Sequence, residues 1–269
     1  MNPLSRFATA PPEGEQLCGV DPSPLGEVAQ RAGGGLALSF PPTYLPTMTS
    51  TSRFGAKICG LSTPESVAAA VAGGAAYVGF VFFARSPRNL DPEAAARLAA
   101  PLRQSPVKTV AVTVNPDDAL IDRLMATLKP DLIQAHGKET PARVREIAQR
   151  SGAGVIKAFS VSSAADVDQA RAFDGVAQHL MFDARPIDVN GEGSALPGGT
   201  GARFDWSLLE GRRFSRPHFL AGGLDPWNVA EAIRASGAPL VDVSSGVERG
   251  PGLKDPALIT AFLDAVKRV

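Results

Sequence analysis

Residues 53–269 are predicted to form an α/β fold, a closed (β/α)8 TIM barrel, preceded by a disordered extension over 1–52. Three observations predict this. Short apolar or β-branched runs alternate with helix-period segments from residue 56 to the end. Eight such strand–helix units fit the available length, the number a closed parallel barrel needs. Chemically reactive residues fall at strand ends, where such barrels keep their active groups: a thiol, Cys59, ends the first strand and a carboxylate, Asp183, ends the sixth. An open doubly wound sheet is the alternative. It lacks support because no glycine fingerprint follows the first strand.

The extension is crowded with Pro, Gly, Ser and Thr, as in Pro11-Pro12, Gly33-Gly34-Gly35 and Pro41-Pro42. It holds neither a helical nor a strand period, and such a composition buries too little apolar surface to order itself. It has no charged segment leading into an apolar run, as a secretory signal requires. Glu13, Glu15, Asp21 and Glu27 run against a transit peptide. Met48 stands just before the first strand, so a translation start there is an alternative reading.

The first strand is read at 56–61, Ala56-Lys57-Ile58-Cys59-Gly60-Leu61. Thr63-Pro64, with Glu65 next, opens a helix at 64–73, and Gly73-Gly74 closes it. The second strand is 77–82, and Asp91-Pro92 opens the helix at 92–103. The third strand (108–114) and helix (117–127) follow, then the fourth strand (132–136) with a helix (140–150) closed by Gly152. The fifth strand (154–160) and helix (163–172) lead to the sixth strand (179–183). A long connection then runs through Gly198-Gly199-Thr200-Gly201 to a helix at 205–211; a connection of that length is functional or disordered. The seventh strand (218–222) precedes a helix opened by Asp225-Pro226 (226–236) and closed by Gly237. The eighth strand (240–244) precedes a helix opened by Asp255-Pro256 (255–267). All the strands are short and apolar, as parallel strands buried on both faces are.

Composition narrows the function. Lys plus Arg and Asp plus Glu both number 27, so no basic excess suits nucleic acid. No apolar run approaches the roughly 20 residues that span a bilayer. Two cysteines, Cys18 and Cys59, make no disulfide framework, and three histidines give no metal-ligand spacing. A reducing cytoplasm is the expected compartment.

Cys59 can be read as a small buried hydrophobe. A thiol and a carboxylate facing one pocket can equally act as a base and acid pair. Gly222-Gly223 after the seventh strand and Ser244-Ser245-Gly246 after the eighth suit a phosphate, because glycines let backbone N–H groups approach an anion. The same glycines can serve as tight turns. Arg85 and Arg88 follow the second strand, and arginine can grip a carboxylate bidentately. Arg88 is expected at the barrel mouth opposite the phosphate loops. His136, at the end of the fourth strand, is read as a substrate contact or a structural histidine.

Taken in order, several segments resemble phosphoribosylanthranilate isomerases of tryptophan biosynthesis. They are Lys57-Ile58-Cys59-Gly60, Val78-Gly79-Phe80-Val81-Phe82, Ser86-Pro87-Arg88, Gln134-Ala135-His136-Gly137-Lys138-Glu139, Phe182-Asp183, Gly198-Gly199-Thr200-Gly201, Leu220-Ala221-Gly222-Gly223-Leu224 and Asp242-Val243-Ser244-Ser245-Gly246-Val247-Glu248. The likeness covers 56–269. The family usually has Leu where Ala135 stands. It often has Lys after the third loop glycine, where this chain has Ala202 and then Arg203.

The resemblance implies an intramolecular oxidoreduction, the Amadori rearrangement of N-(5-phosphoribosyl)anthranilate to 1-(2-carboxyphenylamino)-1-deoxyribulose 5-phosphate. It implies Asp183 as general acid and Cys59 as general base, the base needing some thiolate near neutral pH. It implies Arg88, Gln134, His136 and Asp242 as substrate contacts, and no metal or organic cofactor. The expected partner is a small phosphoribosyl molecule, with no nucleic acid and no membrane. The related histidine-pathway sugar isomerase is a rival, but it uses a carboxylate where Cys59 stands. A silent phosphate-binding barrel is another, though it would need only the phosphate loops.

Overall fold

The structure is a computed structural model that describes residues 53–184 and 203–269. The expected disordered extension at 1–52, with Cys18 and Met48, and the glycine-rich connection at 185–202 lie outside the described residues.

Short, nearly continuous apolar runs make the strands, and both faces of each are buried. β1 (Gly55–Cys59), β2 (Tyr77–Phe82), β3 (Lys108–Thr113), β4 (Leu132–Ala135), β5 (Gly154–Val161), β6 (His179–Ala184), β7 (Phe219–Leu220) and β8 (Leu240–Val243) pair in chain order. Every pairing is parallel, and β8 closes on β1 with Lys57 opposite Asp242. Successive residues of a strand point to opposite faces, so two apolar layers result. Ile58, Phe80, Ala111, Ile133, Phe182, Leu220 and Val241 pack outward against the helices. Val81, Val110, Leu132, Ile156, Met181 and Phe219 fill the barrel interior. Toward the carboxyl ends of β1, β4, β6 and β8 the inward residues are instead polar or reactive, Cys59, Gln134, Asp183 and Asp242, and with Val81 and Val112 they line a cavity.

The helices are α1 (Pro64–Ala72), α2 (Pro92–Ala99), α3 (Asp118–Thr127), α4 (Pro141–Ser151), α5 (Ala164–Gln169), α6 (Val229–Ser236) and α7 (Pro256–Lys267). Capping residues fix their starts. The Thr63 side chain accepts from the Ser66 amide and Ser66 Oγ accepts from the Thr63 amide, so Ser66 rather than Glu65 completes the capping box. Asp91, Asp117, Thr140 and Asp255 also accept from first-turn amides. Gly152 and Gly237 end their helices in the left-handed region, at φ 66° each.

Four expectations need correction. The helix read at 92–103 turns 3-10 from Ala100 to Gln104, because Pro101 offers no N–H to an α-helical ladder. The helix read at 205–211 is a single 3-10 turn, Trp206–Leu209, which Gly211 ends at φ 68°. The helix read at 226–236 begins at Val229. Asp225 Oδ1 accepts from the Trp227 and Asn228 amides and holds that stretch as a turn. The strand read at 218–222 is only Phe219–Leu220, since Gly222 and Gly223 leave the β region at φ 88° and 62°. The structure also adds an antiparallel hairpin after β8, β9 (Glu248–Gly250) and β10 (Leu253–Lys254), turning at Pro251 and Gly252.

Candidate active site

The carboxyl end of the barrel opens into a cavity of about 390 Å³, within the range of small-molecule sites. Cys59, Arg88, Gln134, His136, Asp183, Gly222, Gly223, Asp242, Ser244 and Ser245 all line it. Arg85 does not line it. Gly246 does not line it either, and its bare Cα serves packing instead, since a Cβ there would stand 1.9 Å from the Leu224 carbonyl oxygen. Gly222 is equally constrained, since a Cβ would lie 2.4 Å from the Ala184 amide nitrogen. Gly246 thus lets the loops after β7 and β8 meet, and Gly222 lets the loop after β7 close on the end of β6.

On β4 and its loop, one polar chain crosses the floor. The Gln134 amide nitrogen is 3.3 Å from Met181 Sδ and 3.0 Å from His136 Nδ1. With that amide donating to Nδ1, the ring proton sits on Nε2. Nε2 in turn lies 3.2 Å from Asp183 Oδ2. Gln134 Oε1 is buried without a hydrogen-bond partner among the described residues.

On the β1 side, Lys57 is fully buried and donates to Asp242 Oδ1 at 2.8 Å. Burial pushes the Cys59 thiol up, while the Lys57 ammonium pulls it down. The partial ionisation expected of the thiol near neutral pH is therefore opposed by burial.

Arg88 stands elsewhere than expected. Its Nε and Nη2 grip Glu248 bidentately, at 2.8 and 2.7 Å. Glu248 belongs to the hairpin after β8, so Arg88 is beside the loop after β8 rather than opposite it. Closure of β8 on β1 brings β2 within reach, and the arginine stem crosses the bare Gly60, where a Cβ would lie 2.6 Å from Arg88 Cδ. Lys254 completes the cluster. It bonds Glu248 and donates to the Ser244 carbonyl at 2.8 Å, tying the arginine to the loop after β8. Burial raises the Glu248 carboxyl's proton affinity, but Arg88 and Lys254 outweigh it and set the net shift downward.

Arg203, one residue beyond Ala202, is a cation near the loop after β7. It donates to the Gly223 carbonyl at 3.1 Å and to Asp225 at 2.9 Å, so it reaches the loop after β7.

Among the described residues, no three His, Cys, Asp or Glu side chains group as a metal site needs. No described helix is long and apolar enough to cross a membrane.

The family model for N-(5'-phosphoribosyl)anthranilate (PRA) isomerase matches residues 56–265. The chain belongs to the phosphoribosylanthranilate isomerase family. A member from Caulobacter sp. strain K31 is 86% identical over 214 residues, covering 80% of this chain and 99% of the relative. One from Caulobacter vibrioides is 80% identical over 219 residues, covering 81% and 98%. The solved phosphoribosylanthranilate isomerase of Thermotoga maritima superposes with a TM-score of 0.70 at 35% identity, covering 80% of this chain and all of that one. Another solved family member, in complex with reduced 1-(o-carboxyphenylamino)-1-deoxyribulose 5-phosphate, gives 0.68 at 34% identity with the same coverage.

Three residues of this isomerase site escaped the sequence reading: Lys57, Glu248 as partner of Arg88, and Lys254. For Lys57 a signal existed. It lies two residues before Cys59, so it shares the thiol's inward face, and a lysine there must be paired.

Proposed function

We propose that the chain catalyses the rearrangement of N-(5-phosphoribosyl)anthranilate to 1-(2-carboxyphenylamino)-1-deoxyribulose 5-phosphate in tryptophan biosynthesis. One observation carries the assignment of roles: Cys59 of β1 and Asp183 of β6 open onto a single cavity rimmed by the two glycine loops. Asp183 donates a proton to the furanose ring oxygen as the C1–O bond breaks, and the nitrogen lone pair forms the C1=N Schiff base. Cys59 then removes the C2 proton. The C–H electron pair forms C1=C2, and the resulting enolamine tautomerises to the ketone. Gly222, Gly223, Ser244 and Ser245 receive the phosphate, and Gly246 shapes that cradle by letting the loops touch. Gln134 and His136 contact the ribose, the unpartnered Gln134 Oε1 being an acceptor suited to a hydroxyl. Asp242 borders the same space.

The rate at which phosphoribosylanthranilate fluorescence disappears tests this directly. The histidine-pathway phosphoribosyl amine serves as the competing substrate. Faster turnover of that amine would overturn the assignment. The mechanism uses a reduced thiol, and we place the chain in the cytoplasm, which keeps thiols reduced.

Arg88 holds the anthranilate carboxylate. The two anionic ends of the substrate then bind on either side of the Glu248–Lys254 bridge. A hydrogen bond to a charged group is worth roughly 1.5–3 kcal/mol. Arg88→Ala should therefore lower kcat/KM by about tenfold or more, with the thermal midpoint checked alongside. An unchanged kcat/KM would pass the role to Arg249, which also lines the cavity.

Residues 1–47 are dispensable on this reading. The barrel closes with all eight strands from residue 55 onward, and the family match begins at residue 56. A chain starting at Met48 should match the full chain in thermal midpoint and kcat/KM. A drop of several degrees, or a large loss of activity, would show that the extension packs on the barrel.

A further inference from the structure

The proposed mechanism leaves one buried cation unused. Lys57 has no solvent exposure, and it occupies the inward position of β1 next below Cys59. Its ammonium donates to Asp242 Oδ1 of β8 at 2.8 Å. It also sits beside the sulfur. A Cβ built on Gly79 of β2 would stand 3.1 Å from Cys59 Sγ and 3.2 Å from Lys57 Nζ. Thiol and ammonium thus flank the same bare Cα. Packing alone does not call for a charge here, because an apolar residue of similar volume would fill the barrel without the desolvation cost of an ion pair.

We propose that Lys57 is the positioning residue for Cys59: its ammonium, anchored by Asp242, is the counter-charge against which the thiolate forms. This rests on the reading of Cys59 as the base. The thiolate that takes the C2 proton becomes a neutral thiol, while Lys57 stays protonated throughout. Burial disfavours that ammonium, but Asp242 and then Cys59 more than offset it, so its net shift is upward.

The other charged groups around Cys59 are accounted for. Asp242 on β8 pushes the thiol up, and Lys254 on β10 pulls it down. Lys254 is itself bonded to Glu248 of β9, which also holds Arg88. His136 and Asp183 line the same cavity and contact each other. Lys57 is the largest of the influences that favour the thiolate.

Thiol reactivity of the full chain, in a Cys18→Ser background and without substrate, tests the proposal. The probe is iodoacetamide, and the rate of alkylation is followed against pH. Lys57→Met should raise the apparent thiol pKa and slow alkylation at pH 8 by about tenfold, equivalent to one pKa unit. Asp242→Asn should act in the opposite direction and speed it. Lys57→Met strands a carboxylate inside the barrel, so Lys57→Met/Asp242→Asn serves if the single variant fails to fold. That neutral pair should still alkylate about tenfold more slowly than Asp242→Asn alone.

In turnover, the Lys57→Met pH profile should shift to higher pH, with kcat/KM recovering as the thiol ionises. A merely structural defect would not recover. Identical alkylation profiles for Asp242→Asn with and without Lys57 would overturn the proposal. Alkylation reads the pairing with no substrate present, so its failure is distinct from loss of the base role, which turnover by Cys59→Ala reports.

Discussion

Cys59→Ala and Asp183→Asn are each expected to lower kcat by about 10²–10⁴-fold, the usual cost of a missing general base or acid. Both changes are small in volume and fall on inward positions facing the cavity, so the barrel should keep its fold. Asp183→Asn also preserves shape where space is tight: a Cβ on Gly222 would lie 2.9 Å from Asp183 Oδ1. In the proposed mechanism the two residues act in different steps, the acid in ring opening and the base in C2 deprotonation. Serial barriers are not multiplied, because the higher one alone limits kcat/KM. The double variant should therefore lose about as much as the worse single variant. Steady-state turnover with far-UV circular dichroism checks all three. Near-wild-type kcat in either single variant, with an unchanged spectrum, would overturn that residue's role. A fully multiplicative double loss would place both groups in one transition state.

The barrel was legible because its strands are buried on both faces and read as apolar runs, with proline and acidic caps marking the helices between them. What failed was local. Phe219–Leu220 is too short to show a period, and its neighbours Gly222 and Gly223 are read equally well as strand end or turn. The stretch 205–211 carries a cap at Asp205 but only one turn before Gly211. In the site, Cys59, His136 and Asp183 could be found by their places at strand ends, whereas Gln134 and Asp242 came only through the family resemblance. The bidentate grip of Glu248 on Arg88 could not. It joins residues 160 apart through two long side chains and exists only once β8 has closed on β1. The sequence calls for an anion beside Arg88, but the nearest one proves to be within the protein. The arginine is thereby held in place by the protein's own carboxylate.

Lys157→Met is expected to be the most destabilising single change near the site, at about 3–5 kcal/mol, the cost of leaving a buried charge without its partner. The lysine is 4% exposed and Glu139 1%, so neither can turn to water. Nζ donates to Glu139 Oε2 at 2.9 Å and to the carbonyls of Ala135, Gly137 and Ala158 at 3.2, 2.7 and 3.0 Å. Glu139 accepts in turn from the amides of Asn115 and Gly137. The pair thus fastens the loop after β4, which carries His136, to the loop after β3. That junction is tight, since a Cβ on Gly137 would lie 2.4 Å from Asn115 Oδ1. Burial lowers the Lys157 ammonium's pKa, with Glu139 opposing only in part. The intact pair is therefore a weak source of stability, yet a broken one is costly. At about 2–4 °C per kcal/mol for a domain of this size, Lys157→Met should lower the thermal midpoint by roughly 6–20 °C. Lys157→Met/Glu139→Gln removes both charges, and its amide oxygen can still accept from the two backbone amides. It should recover more than half of that loss in a double-mutant cycle. Turnover should fall with Lys157→Met even well below its midpoint, because His136 loses its anchor beside Asp183. A single variant within about 1 kcal/mol of wild type, by denaturant unfolding, would show that the loop is held by its backbone bonds alone.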